Sequence, residues 1–389
     1  MSPSPINQTQ ESEMYTKELK VVKGSFPRKV GSAIPQDTAR NPLKICYRKY
    51  HSKDGKINLV FLHGTGMNKG LWHYHIDKLY HQYENTKTPI GTVLAIDMVN
   101  HGHSAALNID RLGYKFDWCD GARDVQCVLQ NEIKSFTTPG QLNILVGHSM
   151  GGFISLFTTF LQPTLFHSVV VVNPVAYTTD QAKEGSTIVF NGWVKKGYMK
   201  DDFHVSKYVK GEIPPEVYEF FENKSFFRNF DKRILKNQLD DEIPDREHNG
   251  DINLHTTMRN QLITYFGSFD AIPVGMEIYS TIKTPVYYIL SENDTTNSEA
   301  VQYLESSMKD VIHRIDVPEA YHIVNAEQPD LMVDILIKII DERLDMDHDK
   351  LNTEINEEKL LVEKFGKSYR QEFLKRIFDP VQSIINGFQ

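Results

Sequence analysis

Short, unbroken runs of apolar residues recur along the chain between residues 57 and 317. They are rich in Val, Ile and Leu and do not alternate with polar residues, which is expected of strands in a parallel sheet with helices on both faces. The predicted strands are Ile57–Leu62, Thr92–Asp97, Leu142–Gly147, Ser168–Asn173, Pro285–Leu290 and Val311–Val317.

Helix patterns fall between these runs, at Asp117–Ser135, Met150–Leu161 and Glu327–Leu344. The repeated exchange of strand and helix is typical of a doubly wound α/β fold with a mostly parallel sheet. We therefore predict that fold class, with the core formed by residues 41–176 and 280–345.

One interval breaks the alternation. About 110 residues separate Asn173 from Pro285, which is far more than an ordinary crossover connection needs. We predict a helical cap over residues 177–279, inserted before the strand that starts at Pro285. Its aromatic residues include Phe220, Phe221, Phe226, Phe227 and Phe230.

The two ends of the chain are predicted to lie outside this core. Residues 1–40 are polar and show little periodicity, so we expect an arm on the surface. Residues 346–389 show a charged helix pattern with an apolar stripe at four-residue spacing, from Leu361 to Ile377. This helical extension packs either on the protein's own core or on a second copy in a homodimer.

Charge and composition exclude several classes of protein. The 389 residues include 43 Lys and Arg against 51 Asp and Glu, a formal charge of −8, which excludes a basic nucleic-acid binder. Apolar residues make up 40%, enough for a large core, but the longest apolar runs are strand-length, so no integral membrane segment is predicted. The three cysteines form no CxxC pair or disulfide framework, and the N-terminus has no signal-peptide core. Together these features favour an intracellular, reducing compartment.

The most specific motif lies at residues 147–152, which read Gly-His-Ser-Met-Gly-Gly. It follows a predicted strand directly and opens a predicted helix at Met150. A Gly-x-Ser-x-Gly in that context is a nucleophile elbow, in which a sharp turn exposes the serine and leaves no room for bulky neighbours. We predict Ser149 as a catalytic nucleophile.

A serine hydroxyl needs a base, and the base needs an acid to orient it. His322 follows the last predicted strand, where this chain order places the histidine. Asp294, after the strand Pro285–Leu290, is the predicted acid. Glu292 is the rival two positions earlier, and Asp270 is a more remote candidate.

An oxyanion hole needs two main-chain N–H donors. We predict those of Met150 and Thr65, with Gly66 or Met67 as alternatives to Thr65. Gly66 and Met67 are also predicted to contact substrate, together with Phe226 and Phe227. For the two phenylalanines, ordinary packing within the cap is the alternative.

Two histidines follow the second parallel strand, at positions 101 and 103 of the segment Asp97–Ser104. Because no third ligand stands at a suitable spacing, no metal is predicted there. The segment looks like a loop that orders the residues beside the elbow, and we expect no cofactor.

These motifs together resemble the α/β-hydrolase superfamily of serine esterases and lipases, and within it the group of the yeast peroxisomal lipase and its fungal relatives. The segments that carry the resemblance are Val60–Trp72, Ala95–Ala105, Arg111–Val125, Gly147–Phe153, Ser225–Asn229 and Tyr321–Met332. The resemblance implies an α/β-hydrolase fold and a serine esterase or lipase that uses Ser149 and His322. It also suggests the peroxisome, although the final residues Gly387-Phe388-Gln389 are not a Ser-Lys-Leu-type signal, so the cytoplasm is the alternative location.

The predicted function is hydrolysis of carboxylic esters, with a small-molecule ester or lipid as substrate. A serine nucleophile argues against epoxide hydrolases and haloalkane dehalogenases, which need a carboxylate there. An acyl-CoA thioesterase is an alternative, weakened because no basic cluster is evident in the sequence to receive the CoA phosphates. A non-catalytic binding or assembly protein with this fold is the second alternative.

Overall fold

The computed structural model describes residues 9–11, 14–34, 40–179, 190–205, 209, 211–243, 250–294 and 298–346. Residues up to Arg343 belong to one compact unit. Its strands are β1 Thr9–Glu11, β2 Thr16–Lys23, β3 Lys44–His51, β4 Ile57–Leu62, β5 Ile90–Ile96, β6 Leu142–His148, β7 Ser168–Val172, β8 Asp202–Val205, β9 Gly250–Asn253, β10 Val286–Ser291 and β11 Ile312–Val317.

Nine of these strands form one sheet, in the order β1-β2-β3-β5-β4-β6-β7-β10-β11. The five neighbouring pairs from β5 to β11 are parallel, and the three pairs from β1 to β5 are antiparallel. Strands β8 and β9 form a separate antiparallel hairpin within the insert. The mostly parallel sheet confirms the predicted fold class.

The helices lie between the strands. They are α1 His73–Tyr83, α2 Gly102–Asn108, α3 Trp118–Asn131, α4 Ile133–Thr137, α5 Met150–Leu161, α6 Pro215–Asn223, α7 Lys232–Asp240, α8 Met258–Ile278, α9 Ser298–Ser307, α10 Val324–Glu327 and α11 Pro329–Asp345, and residues 190–195 are also helical. No helix in the described ranges is long and apolar enough to cross a membrane.

Burial explains why the central strands were visible in the sequence. Every residue of β4, β5, β6, β7 and β10 is buried, because helices cover both faces of this part of the sheet. A strand in that position needs apolar side chains on both faces, which gives an unbroken apolar run. The predicted strands agree with these five strands, and with the more exposed β11, to within two residues at each end.

The N-terminal segment differs from its expectation. Within the arm predicted over residues 1–40, Thr16–Lys23 forms strand β2 and pairs along its whole length with β3. Its residues are partly buried or exposed, and its three lysines stand among only three apolar residues, Leu19, Val21 and Val22. Such a half-exposed antiparallel strand carries a weaker apolar signal than a central parallel strand.

Part of the insert between β7 and β10 packs against the main hydrophobic core and does not form a separate cap. Its longest helix, α8, contributes Ile263, Ala271 and Ile272 to the main hydrophobic core. The main-chain N–H of Phe116 donates to the Ile263 carbonyl over 2.8 Å, and a Cβ at Gly267 would lie 1.5 Å from the Phe116 oxygen. The last part of the predicted cap thus packs directly on the core. The predicted C-terminal extension lies, from residue 347 onward, outside the described residues.

Candidate active site

The turn between β6 and α5 holds Ser149 in an unusual backbone conformation, with φ 55° and ψ −116°. Residues other than glycine rarely adopt a positive φ, and such strain is common at functional sites. The turn is tight, because a Cβ at Gly147 would lie 2.1 Å from the carbonyl oxygen of Gly151 and 2.3 Å from Oγ of Ser155. Strand and helix therefore fix the serine at the carboxyl edge of the sheet.

Two further predicted residues lie beside this serine. His322 belongs to the loop after β11, and its Nε2 is 3.0 Å from Oγ of Ser149. Its Nδ1 is 2.8 Å from Oδ1 of Asp294, which follows β10. The Asp294 side chain is 1% exposed and that of His322 is 28% exposed. The three side chains thus form a continuous hydrogen-bonded chain that runs from a buried carboxylate to the serine.

The rival acids have other partners. Oε2 of Glu292 accepts the main-chain N–H of Glu319 over 2.9 Å. Asp270 forms an ion pair with Lys115 at the surface. Neither carboxylate is the one hydrogen-bonded to His322.

The loop after β4 passes directly beside the serine. A Cβ at Gly64 would lie 2.7 Å from Nδ1 of His148 and 3.2 Å from Cβ of Ser149, so the loop comes this close because residue 64 has no side chain. In this loop the N–H of Gly66 donates to Nε2 of His101, and that of Met67 donates to the Gly64 carbonyl. No acceptor in the described part of the chain takes the N–H of Thr65 or Met150. These two donors therefore remain available, while the two alternative donors are occupied.

Two residues that sequence reasoning missed hold the loop of His322. The Nε2–H of His148 donates to the main-chain carbonyl of His322, and Nδ2 of Asn173 donates to the same oxygen over 3.0 Å. Asn173 has φ 43°. Its Nδ2 also donates to Oγ of Ser291, and its Oδ1 accepts the main-chain N–H of Ser291, each over 2.9 Å. Ser291 directly precedes Glu292. In the sequence, Asn173 is only the last residue of a predicted strand. Its position directly after β7, which lies between β6 and β10 in the sheet, is the signal that could have identified it.

A buried charged network lies beneath this edge of the sheet and was also missed. Nζ of Lys69 is 2.8 Å from Oδ2 of Asp97 and 3.3 Å from Oδ2 of Asp241, and it donates to Nδ1 of His103 over 2.9 Å. Both guanidinium Nη atoms of Arg48 lie 2.8 Å from Asp241. Burial alone would raise the pKa of Asp241, but the charges of Arg48 and Lys69 hold it well below its usual range. The network joins the insert, through Asp241, to the core.

The two histidines considered as metal ligands have structural partners instead. Burial holds the pKa values of His101 and His103 well below their usual range, so both rings are neutral. Nε2 of His101 accepts from Gly66, and His103 accepts from Lys69. Within the described ranges, no group of three His, Cys, Asp or Glu side chains could hold a metal ion.

A narrow cavity lies between the insert and the loop after β4. Gly66 and Gln261 line one part of it, and Phe226 and Phe227 belong to its aromatic wall. Met67 is buried beside it, with its N–H on Gly64. Three of the four residues predicted to contact substrate therefore surround the same space. Its apolar lining is completed by Met199, Phe221 and Leu254.

Comparison with known proteins identifies the family. The model of the alpha/beta hydrolase family matches residues 59–335. The chain belongs to the alpha/beta hydrolase family. This assignment agrees with the strand order, with the serine on the turn between β6 and α5, and with the resemblance noted in the sequence.

Individual relatives give a finer comparison for this alpha/beta hydrolase. The chain is 30% identical over 349 residues to the peroxisomal membrane protein LPX1 of Saccharomyces cerevisiae, covering 83% of this chain and 86% of that one. The crystal structure of the peroxisomal alpha-beta-hydrolase Lpx1 from the same organism matches with a TM-score of 0.73 and 27% identity, over 93% of this chain and 99% of that one. The chain is also 28% identical over 171 residues to the type I acyl-CoA thioesterase mpaH′ of Penicillium brevicompactum, but this covers only 42% of this chain and 38% of that one. The predicted kinship with the yeast peroxisomal group is confirmed.

Proposed function

We propose that this alpha/beta hydrolase cleaves carboxylic esters of acyl-lipid type through a covalent acyl-enzyme on Ser149. The observation that carries the proposal is the hydrogen-bonded chain from Asp294 through His322 to Ser149, with contacts of 2.8 and 3.0 Å. A serine with a positive φ on a strand-to-helix turn, hydrogen-bonded to a histidine, has the geometry that acyl transfer requires.

Each residue then has a defined role. Nε2 of His322 takes the proton of Ser149 as Oγ attacks the ester carbonyl, and Asp294 stabilises the imidazolium that forms. The N–H groups of Thr65 and Met150 stabilise the oxyanion of the tetrahedral intermediate. His322 next protonates the leaving alkoxide, and it finally activates the water that hydrolyses the acyl-enzyme.

The cavity beside Gly66 is the proposed site for part of the substrate. Gly66 directly follows Thr65, so a group bound in this space lies next to the proposed oxyanion donors. The aromatic wall formed with Phe226 and Phe227 suits an apolar chain, because apolar surface is removed from water there.

Hydrolysis of p-nitrophenyl esters, from acetate to palmitate, tests the proposal. We expect the wild-type protein to be active and Ser149→Ala to lose activity by a factor of about 10⁴ or more. The preferred chain length then measures the size of the acyl site. A folded wild-type protein with no activity on any ester, or a Ser149→Ala variant with unchanged activity, would overturn the proposal.

A thioester substrate is the second candidate function. The same nucleophile, base and oxyanion donors serve thioester cleavage. The similarity to an acyl-CoA thioesterase over 171 residues favours it. Parallel assays with an acyl thioester and its oxygen ester distinguish the two.

A further inference from the structure

Three cationic side chains lie at or beside the cavity that Gly66 lines: one belongs to its lining, and two lie on the ring of a lining tyrosine. Lys200 lines this cavity, and its Nζ lies 4.4 Å from the ring centre of Phe203. The ring of Tyr198, which also lines the cavity, has Nζ of Lys196 at 5.8 Å from its centre and Cζ of Arg228 at 5.0 Å. Cations within about 6 Å of an aromatic ring face are attracted to it, so the two rings help to keep these charges beside the cavity.

Other cations of the insert form ion pairs, whereas these three form none with any carboxylate that the structure describes. Lys232, Arg233 and Lys236 form ion pairs of 2.6–2.9 Å with Glu222, Asp231, Asp330 and Asp240. Among the described residues, no carboxylate forms an ion pair with Lys196, Lys200 or Arg228. Arg228 donates only a 3.3 Å hydrogen bond to the Ser225 carbonyl.

Two carboxylates near the cavity accept hydrogen bonds from groups other than the three cations. Glu242 lines the cavity, but its oxygens accept from Asn68 and Thr256 over 2.7–2.9 Å. Oδ1 of Asp201 accepts the N–H of Met258 over 2.7 Å. Glu327 lies within the electrostatic influence of Arg228 but forms no ion pair with it among the described residues. The three cations can therefore still contact a ligand.

The segment of Arg228 also contacts the region that follows the proposed base. The main-chain N–H of Asp231, three residues after Arg228, donates over 2.9 Å to the carbonyl of Ala326, on the short helix that follows His322. Gly66, at the other side of the cavity, follows the proposed oxyanion donor Thr65. A substrate held by the three cations can thus present its carbonyl to Ser149.

We propose that Lys196, Lys200 and Arg228 form a binding site for a phosphate-bearing leaving group, so that the preferred substrates are acyl esters or thioesters whose alcohol or thiol carries phosphate. This inference rests on the proposed acyl-enzyme function of Ser149. Arginine and lysine are the side chains that recognise phosphate most often. In the reaction, the acyl carbon–oxygen or carbon–sulfur bond breaks as the Ser149 ester forms. The leaving alcohol or thiol receives its proton from His322 and departs with its phosphate.

Two matched pairs of soluble substrates test the proposal with the full-length protein. Octanoyl-CoA is compared with octanoyl-pantetheine, and 1-octanoyl-glycerol-3-phosphate is compared with 1-octanoyl-glycerol, so that the nucleotide and lipid sources of phosphate are separated. We expect the phosphate-bearing member of at least one pair to have the higher kcat/KM. Charge reversal in Lys200→Glu/Arg228→Glu should reduce that preference about tenfold or more, mainly through KM, because the charge-assisted contacts to the phosphate are lost. Lys236→Glu, on the same insert, should retain the preference.

Binding and neutral-ester controls keep this inference separate from the proposed function. Ser149→Ala should still bind octanoyl-CoA or the acyl-glycerol phosphate in calorimetry, and the double charge reversal in that background should abolish the binding. Equal activity on both members of each pair, unaltered by charge reversal, would overturn the site. If the charge reversal weakened binding to phosphatidylserine vesicles but not to either phosphate-bearing substrate, the cations would belong to a membrane-binding surface. That result would also overturn the proposed site. Failure of the wild type on p-nitrophenyl esters, with phosphate-dependent binding retained, would instead reject the proposed chemistry.

Discussion

Nε2 of His148 donates a hydrogen bond of 2.9 Å to the main-chain carbonyl oxygen of His322. The residue before the elbow serine thus holds the loop that carries the proposed base. Burial lowers the pKa of His148 to about 3, so its ring is neutral at physiological pH and carries its proton on Nε2. Its Nδ1 is buried without a partner among the described residues. Retaining such an unsatisfied atom is costly, and the hydrogen bond to His322 gives a reason for it.

Replacing His148 should displace the base without touching substrate. We expect His148→Ala to lower kcat about 10- to 100-fold with little change in KM, because a displacement of about 1 Å in a catalytic group can cost a factor of 10². His148→Gln, whose amide can donate to the same carbonyl, should recover most of the rate. Steady-state kinetics on a p-nitrophenyl ester measure both variants. Equal losses in the two variants, or full activity in His148→Ala, would show that the hydrogen bond does not position His322.

The proposed acid can be distinguished from its neighbour by a matched pair of variants. Asp294→Asn should reduce kcat by about 10⁴, because an amide cannot stabilise the charged imidazole and favours the wrong tautomer. Glu292→Gln should stay within a few-fold of wild type, since Glu292 is bonded to the N–H of Glu319. The ester assay decides between them. If the two effects were reversed, Glu292 would be the acid.

The close approach at the elbow predicts that Gly147 tolerates no side chain. Gly147→Ala would place a Cβ 2.1 Å from the Gly151 oxygen, so either the turn opens or the helix shifts. We expect a lower melting temperature and loss of most ester hydrolysis. Gly192→Ala is the control, because no atom lies within 4 Å of a Cβ added there and its φ is not positive. A Gly147→Ala protein with wild-type stability and rate would contradict the close packing.

Glu242 makes stability depend on pH in a defined direction. Burial raises its pKa to about 7 in the folded state, against an ordinary value of 4.5. The folded state therefore holds the Glu242 proton more tightly than the unfolded state, and stability at this site is lost as pH rises from about 4.5 to about 7. The shift corresponds to roughly 3 kcal/mol.

Glu242→Gln removes this titration. We expect the melting temperature of the wild type minus that of Glu242→Gln to decrease as the pH rises from 5 to 8. Thermal unfolding at several pH values measures the difference, and the buried histidines common to both proteins cancel. A difference independent of pH, or one that grows with pH, would refute the assignment.

The buried cation of Lys69 should be far more important to stability than a surface cation. Lys69→Ala leaves Asp97 and Asp241 buried with a lost partner, which should cost about 3–5 kcal/mol. Lys236→Ala removes only an exposed pair with Asp240, four residues along the same helix, and should cost less than about 0.5 kcal/mol. Denaturant unfolding compares the two. Similar losses in both variants would mean that the network contributes little.

The parts of the fold and site that were predicted correctly can each be identified from a short stretch of neighbouring residues in the sequence. Strands β4 to β7 and β10 are buried on both faces, so each appears as an apolar run. Ser149 sits in a motif six residues long, and His322 and Asp294 are defined by the strands they follow. Chain order along a parallel sheet was sufficient to bring these three together.

The parts that were missed depend on contacts between distant residues. Nothing near Lys69 in the sequence indicates that its partner Asp241 lies more than 170 residues away. Lys196, Lys200 and Arg228 did not register as a basic cluster, because their shared surroundings arise only when the two segments of the insert meet. The helix α8 was assigned to the cap because it lies within the insert, although it packs on the core through Ile263 and Ala271.

The ion pairs of Asp241 with Arg48 and Lys69 also divide the insert into regions with different freedom to diverge in evolution. Residues 231–243 share buried polar contacts with the core, so substitutions there reduce stability before they alter selectivity. Tyr198, Lys200 and Phe226 instead border the cavity and are half-buried or exposed, so these side chains can change without disturbing that network. Related enzymes should therefore acquire new substrates through the residues around the cavity, while they retain residues 231–243.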